Sequence, residues 1–154
     1  QELSVPILAP VNIGDLLSDM KKLFPNKNIQ YIYKVENPET TLMLDRSQIE
    51  QVLINLLKNA GEACVEQIYS EVIISTHCDL EKHLFFLSVC DNGSGILPEV
   101  LDKIFVPFFT TKPTGSGIGL SLCKQIMNLH GGSISASSEI GKGSCFTLKF
   151  LCCG

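Results

Sequence analysis

Asp91-Asn92-Gly93-Ser94-Gly95-Ile96 and Gly115-Ser116-Gly117-Ile118-Gly119-Leu120 are the two stretches that decide how this chain is read. The first follows Phe85, Leu87 and Val89, which share one face of a predicted strand, so Asp91 continues an apolar face as a carboxylate. A carboxylate there is costly without a partner, and an exocyclic amine is a suitable donor. Gly93 and Gly95 let the backbone turn and approach a flat ligand closely. The second stretch opens an amphipathic helix, and backbone N–H groups at a helix start bind phosphate. It is not a Walker loop, because Gly-Lys-Ser/Thr does not close it. It is not a Rossmann fingerprint either: Leu120 replaces the third glycine and no strand precedes it. Alone, each stretch also reads as an ordinary turn or a Gly-rich loop. Together they point to a nucleotide site, with an acid for the base and a helix N-terminus for the phosphates.

Upstream, Asp45 or Ser47 starts a long helix predicted to reach about Tyr69, with Ile49, Val52, Leu53, Leu56, Leu57, Ala60 and Ala63 as its apolar stripe. Asn55, Asn59 and Glu62 fall at i, i+4 and i+7 along one edge, with Lys58 nearby. Asparagine is a poor helix former, and its amide oxygen suits Mg²⁺ shared with substrate phosphates. The plain alternative is a solvated polar face. Thr110, Thr111 and Lys112 offer hydroxyls and a cation to a phosphate chain, or else face solvent. Gly141-Lys142-Gly143-Ser144 lies between two short strands and reads as a hairpin turn.

The remaining segments complete the layout. Residues 1–10 carry two prolines and read as a linker, with the domain proper at 11–154. A helix is expected from Asn12, its cap, to Phe24. Strands are expected at Ile29–Val35, Thr41–Leu44, Glu71–Cys78, Leu84–Cys90, Ser133–Ser137 and Ser144–Leu151. Pro98–Ile104 reads as a short helix and Phe105–Ser116 as a loop or lid. Gly119–His130 reads as a helix stopped by Gly131-Gly132. Strands and helices do not alternate one by one. The expected fold is therefore α/β, a two-layer sandwich of one mixed, mostly antiparallel sheet with helices on one face.

The chain has 154 residues, 45% hydrophobic and 18% charged, which suits one domain with a real core. A net charge of −4 argues against nonspecific nucleic-acid binding. No apolar run approaches the roughly 20 residues of a membrane span, and no signal-peptide pattern occurs. The chain starts at Gln1, so a fragment or processed product is expected, with any membrane anchor outside it. Seven cysteines without a C-x-x-C read as reduced, mostly buried thiols of a cytoplasmic protein. Zinc binding by His77, Cys78 and His83 is disfavoured, because strand alternation aims neighbours to opposite faces. His77, His83 and His130 read as surface or packing residues.

With these parts in order, nearly the whole chain, from about Asn12 to Leu151, resembles the ATP-binding catalytic domain of sensor histidine kinases. That group belongs to a class shared with gyrase, heat-shock chaperone and mismatch-repair ATPases, the Bergerat-type ATP-binding fold. The N box resembles Gln51-Val52-Leu53-Ile54-Asn55-Leu56-Leu57-Lys58-Asn59-Ala60. The F box resembles Ile104-Phe105-Val106-Pro107-Phe108-Phe109-Thr110-Thr111-Lys112. The two opening stretches stand as the glycine boxes.

The resemblance implies ATP and Mg²⁺ as cofactors. Asn59 would be the Mg²⁺ ligand and Asn55 would support the metal–phosphate arrangement, with Asn55, Asn59 and Lys112 as the catalytic set. Asp91 would receive the adenine amino group in a pocket shaped by Gly93, Gly95 and Ile96. Phe108, Thr110, Thr111 and Lys112 would lie on the nucleotide side of a mobile lid. Gly115, Ser116, Gly117, Gly119 and Leu120 would hold the phosphates, with Lys58 as a further contact. Thr147 would meet adenine directly or through water.

Chaperone and topoisomerase relatives carry a glutamate where Asn55 stands, and an amide cannot serve as a general base. That favours phosphoryl transfer to a protein histidine over a self-sufficient ATPase; a nucleotide-free interaction module is the third reading. Many histidine kinases carry Lys or Arg and then an aromatic where this chain has Glu62-Ala63, and the form seen here resembles the nitrogen-regulation branch. The implied partners are a dimerisation and phosphoacceptor domain, not found in this chain, and a response regulator. Neither nucleic acid nor membrane contact is implied.

Overall fold

The computed structural model describes residues 3–109 and 119–152. In chain order the elements are β1 (Ala9–Asn12), α1 (Ile13–Leu23), β2 (Ile29–Lys34), β3 (Thr41–Leu44), α2 (Arg46–Ala63), β4 (Ser70–Asp79), β5 (Leu84–Asp91), α3 (Pro98–Leu101), α4 (Gly119–Leu129), β6 (Ser133–Glu139) and β7 (Gly143–Leu151). Five strands form one sheet in the order β2-β4-β5-β7-β6. Only the β2–β4 pair is parallel. A parallel pair needs a long crossover, and the chain between them supplies it through β3 and α2.

Alternation decides which face is covered. Val72 and Ile74 on β4, Phe85, Leu87 and Val89 on β5, and Phe146, Leu148 and Phe150 on β7 are buried. The helices supply the other half of this core: Ile13, Leu16, Leu17 and Met20 from α1, the predicted stripe of α2 from Ile49 to Ala60, and Cys123, Ile126 and Met127 from α4. Ala63, expected in that stripe, is exposed at the end of the helix. The intervening β5 and β7 residues are partly exposed or exposed.

Three expectations need correction. Ala9 and Pro10, read as linker, belong to β1, which pairs antiparallel with β3 as a separate two-stranded sheet. Pro10 is tolerated in this strand because the strand is short and lies in a two-stranded ribbon. The long helix ends at Ala63 rather than near Tyr69. Val65, Ile68 and Tyr69 are exposed, so further turns would bury nothing, and the Cys64 carbonyl instead accepts from Ser70 Oγ at 2.6 Å. Finally, Cys90 and Cys145 are joined in a disulfide rather than reduced. They stand directly opposite each other on adjacent strands. Cys64, Cys78 and Cys123 do carry thiols, and Cys153 lies outside the described residues.

Asp45 ties the helix layer together. As the N-cap of α2 its carboxylate accepts the Gln48 N–H at 3.2 Å, and it also accepts the Ile7 N–H at 3.0 Å. Its own N–H donates to His130 Nε2 at 3.0 Å, while His130 Nδ1 donates to the Ile126 carbonyl at 2.8 Å. His130 is thus a packing residue between the end of α4 and the start of α2. The Ile7 and Gln48 amides hold the Asp45 carboxyl below the ordinary carboxylate range. Its contribution is present in full above the unfolded value and is lost as pH falls through the lower folded one. Asp45→Ala is expected to cost about 1–2 kcal/mol at neutral pH, the usual worth of a cap. Urea unfolding at neutral pH and at about pH 3 checks this, with the wild-type advantage shrinking in acid.

Candidate functional site

Helix α2 reaches Gly119 at the start of α4 and Gly93 beside Asp91, and it positions what lies at each. Asn55 reaches the start of α4: its Nδ2 donates to the Gly119 carbonyl at 3.3 Å and contacts Cys123 Sγ at 3.7 Å. Its Oδ1 accepts from Gln51 Nε2 at 3.1 Å, so both ends of the amide are oriented. Asn59 follows one turn along the same edge, and Lys58 beside it is exposed. Two turns beyond Asn55, Ala63 packs on Gly93: a Cβ there would lie 2.3 Å from the Ala63 carbonyl oxygen. At 1.5 Å per residue, α2 therefore separates the α4 N-terminus from the Asp91 end of the sheet by about 12 Å.

Asp91 sits at the end of β5 on the core face and is 8% exposed. Its Oδ1 accepts the Gly93 N–H at 2.9 Å. Burial pushes its carboxyl above the ordinary range, and the backbone amides of Gly93 and Ser144 pull it partly back. The glycines beside it answer to packing. A Cβ on Gly95, at φ 87°, would lie 2.5 Å from the Glu139 carbonyl oxygen. Asn92 latches the preceding loop by accepting the Glu71 N–H at 3.0 Å and donating to the Tyr69 carbonyl at 2.6 Å.

The residue opposite Asp91 is Ser144, not Thr147. Thr147 is an odd number of residues from buried Phe146, Leu148 and Phe150, so it points to the other face and shares a 3.0 Å hydrogen bond with Ser88. The expectation that Thr147 reaches the site is corrected on that ground. Ser144, 5% exposed, lies on the Asp91 face and shares a 3.0 Å hydrogen bond with Ser138 Oγ. Ser138 Oγ in turn accepts the Ile96 N–H at 2.7 Å. Ser144 was missed because Gly141-Lys142-Gly143-Ser144 reads as a turn. Counting back by twos from Phe150 finds it.

Ile96 and Leu120 pack at the edge of the core. Phe108 is exposed, with φ 67°. Thr110, Thr111, Lys112, Gly115, Ser116 and Gly117 lie outside the described residues. Among the described residues no group of three His, Cys, Asp or Glu side chains could hold a metal. Asparagine oxygens suit a different arrangement, in which a hard cation takes one protein ligand and fills its other positions with phosphate and water. His77 stacks on Phe86 at 6.4 Å, away from Cys78 by strand alternation. No helix among the described residues is long and apolar enough to cross a membrane.

This arrangement has known counterparts. Residues 44–152 match the family described as histidine kinase-, DNA gyrase B-, and HSP90-like ATPase. The chain belongs to that ATPase family. Sensor protein FixL of Bradyrhizobium diazoefficiens is 36% identical over 120 residues, which is 78% of this chain and 24% of FixL. Sensor histidine kinase ZraS of Escherichia coli is 37% identical over 123 residues, 80% of this chain and 26% of ZraS. This ATPase-family chain thus spans about a quarter of the length of these relatives.

Among solved structures, the nucleotide-free catalytic domain of histidine kinase ThkA superposes with a TM-score of 0.83 at 33% identity, covering 94% of this chain and 95% of that one. ThkA in complex with response regulator protein TrrA also matches, with a TM-score of 0.78 at 31% identity over 94% of this chain and 42% of that one. Full-length ShkA in complex with AMPPNP gives a TM-score of 0.82 at 27% identity, over 97% of this chain and 31% of that one. The five-stranded mixed sheet with its helix layer is the fold of these ATPase-family catalytic domains.

Proposed function

We propose that this domain binds Mg-ATP and donates the γ-phosphoryl group to a histidine on a separate dimerisation domain of a sensor kinase, which then serves a response regulator. The observation that carries the reading is the placement along α2: Asn55 at the first residue of α4, Asn59 one turn on, and Ala63 against the glycine beside Asp91. The two ends differ in chemistry as the two ends of a nucleotide do. A helix N-terminus favours phosphate, and a buried carboxylate favours an amino group. In this reading Asp91 accepts the adenine amine with Ser144 beside it. Ile96, Phe108 and Leu120 add apolar contact, and Lys58 and Lys112 contribute positive charge for the phosphates. Asn59 holds Mg²⁺, which neutralises phosphate charge when bound, and Asn55 fixes the α4 terminus against it.

Asn55 cannot take a proton from water, which supports transfer over hydrolysis. Phosphoryl transfer asks mainly for positioning and charge neutralisation, which is the work this reading assigns to these residues. The protein nucleophile is an imidazole nitrogen outside this chain. FixL and ZraS, named as sensor proteins, and ThkA, solved with a response regulator, support the partner assignment.

The test is to mix the chain and Mg-ATP with the histidine-bearing helical domain of its own kinase. Acid-labile phosphohistidine is expected on the helical domain; none with both parts folded would refute the reading. For the metal role, Asn59→Ala is expected to lose about 10–100-fold of Mg-dependent ADP affinity. Titrations with and without chelator measure this, and an unchanged Mg dependence would reassign the ligand.

A further inference from the structure

The cysteines sort by placement. Cys64 and Cys123 are buried. Burial pushes the Cys123 thiol up to about 11 and raises the Cys64 thiol above its ordinary value. A thiol held protonated is a poor nucleophile. Cys90 and Cys145 differ. They oppose each other on β5 and β7 with Cα atoms 4.0 Å apart, and both are partly exposed on the face away from the core. The rung beyond them, Asp91 opposite Ser144, is the last of that ladder. Backbones meet closely there: a Cβ on Gly143 would lie 2.0 Å from the Asp91 carbonyl oxygen. The sulfur bridge is therefore the covalent tie nearest the strand ends that carry Asp91 and Ser144.

We propose that Cys90 and Cys145 form a reversible thiol–disulfide exchange site, acting with dithiols and low-molecular-weight disulfides, that sets how firmly the Asp91–Ser144 rung is held. In reduction, a thiolate of the dithiol attacks one sulfur of the pair. The Cys90–Cys145 bond breaks and the departing cysteine takes up a proton. The second thiol of the reductant then attacks the mixed disulfide and releases the other cysteine, which is also protonated. Two electrons pass from the dithiol to the pair, and the reductant leaves as a disulfide. Oxidation reverses the sequence, with oxidised glutathione able to act as the acceptor.

Without the bridge, the rung is held only by non-covalent contacts, namely ladder hydrogen bonds, the Ser138–Ser144 hydroxyl pair and packing, and strand ends open locally at lower cost. An opened end cannot present Asp91 and Ser144 together, so affinity for a ligand of that rung falls with the closed fraction. This last consequence rests on the nucleotide reading; the exchange site itself does not.

The test compares the chain held in oxidised glutathione with the chain after dithiothreitol. Maleimide labelling with mass analysis reads the thiols, and amide hydrogen exchange reads residues 90–93 and 143–146. Oxidised protein is expected to protect Cys90 and Cys145 from labelling. Reduction should expose both and speed amide exchange there by about tenfold or more, with Cys90→Ser resembling the reduced form in either buffer. Full labelling after oxidised glutathione would overturn the proposal, as would a bridge that dithiothreitol leaves intact, or identical exchange in the two states. Mg-ADP affinity is expected to fall about threefold or more on reduction. Absence of ADP binding in both states would refute the nucleotide reading, while labelling and exchange would still decide this one.

Discussion

Asp91→Asn is expected to weaken Mg-ADP binding by about 10–100-fold, the worth of a hydrogen bond to a charged group, while making the nucleotide-free chain more stable. The two effects share a cause. Asp91 is 8% exposed, and burial raises its carboxyl above the ordinary range. A raised folded value in an acid means that the folded chain holds the proton more tightly than the unfolded one. Stability from this group is therefore greatest below the unfolded value and declines as pH rises through the folded one. At neutral pH the carboxylate is a net cost to the fold, and an amide removes that cost. Asparagine can still accept the Gly93 N–H, which Asp91 Oδ1 takes at 2.9 Å. Its NH₂ would then face the adenine amine, donor against donor. A residue kept for structure would lose stability when changed; one kept for recognition loses affinity and gains stability. Calorimetric titration and thermal melting of the same two proteins separate these cases, and equal ADP affinity would remove Asp91 from the site.

Reducing the Cys90–Cys145 bridge is expected to lower stability by about 2–4 kcal/mol and the melting temperature by about 5–15 °C. The bridge closes a loop with a sequence separation of 55, long enough for its loss to free considerable chain entropy in the unfolded state. Thermal melts with and without dithiothreitol measure the effect, with Cys145→Ser as a control whose melt should ignore the reductant. Identical wild-type melts in the two buffers, with reduction verified by labelling, would mean that the bridge contributes nothing to the fold.

The fold was legible because its elements follow simple periods. The apolar alternation of β5 and β7 and the helical stripe of α2 each mark one buried face, and the observed core uses those residues except Ala63. Asn12 and Asp45 cap their helices as their side chains foretell. What went unread needed partners distant in sequence. Pairing of β1 with β3 depends on a strand about thirty residues away. The end of α2 depends on Ser70 reaching back to Cys64. Gly93 and Gly95 looked like room for a ligand, and they turn out also to be demanded by the carbonyls of Ala63 and Glu139. Thr147 was misplaced for want of a parity count that Phe146, Leu148 and Phe150 already offered. The Cys90–Cys145 bond could not be found from spacing, because it requires the β5–β7 register.

The most direct test of the whole account is a calorimetric titration of this chain with Mg-ATP. The account predicts one saturable binding heat with a stoichiometry of about one, and no continuing heat of turnover after each injection, because Asn55 leaves water without a general base. No binding heat from the folded chain, or sustained heat of hydrolysis, would contradict it.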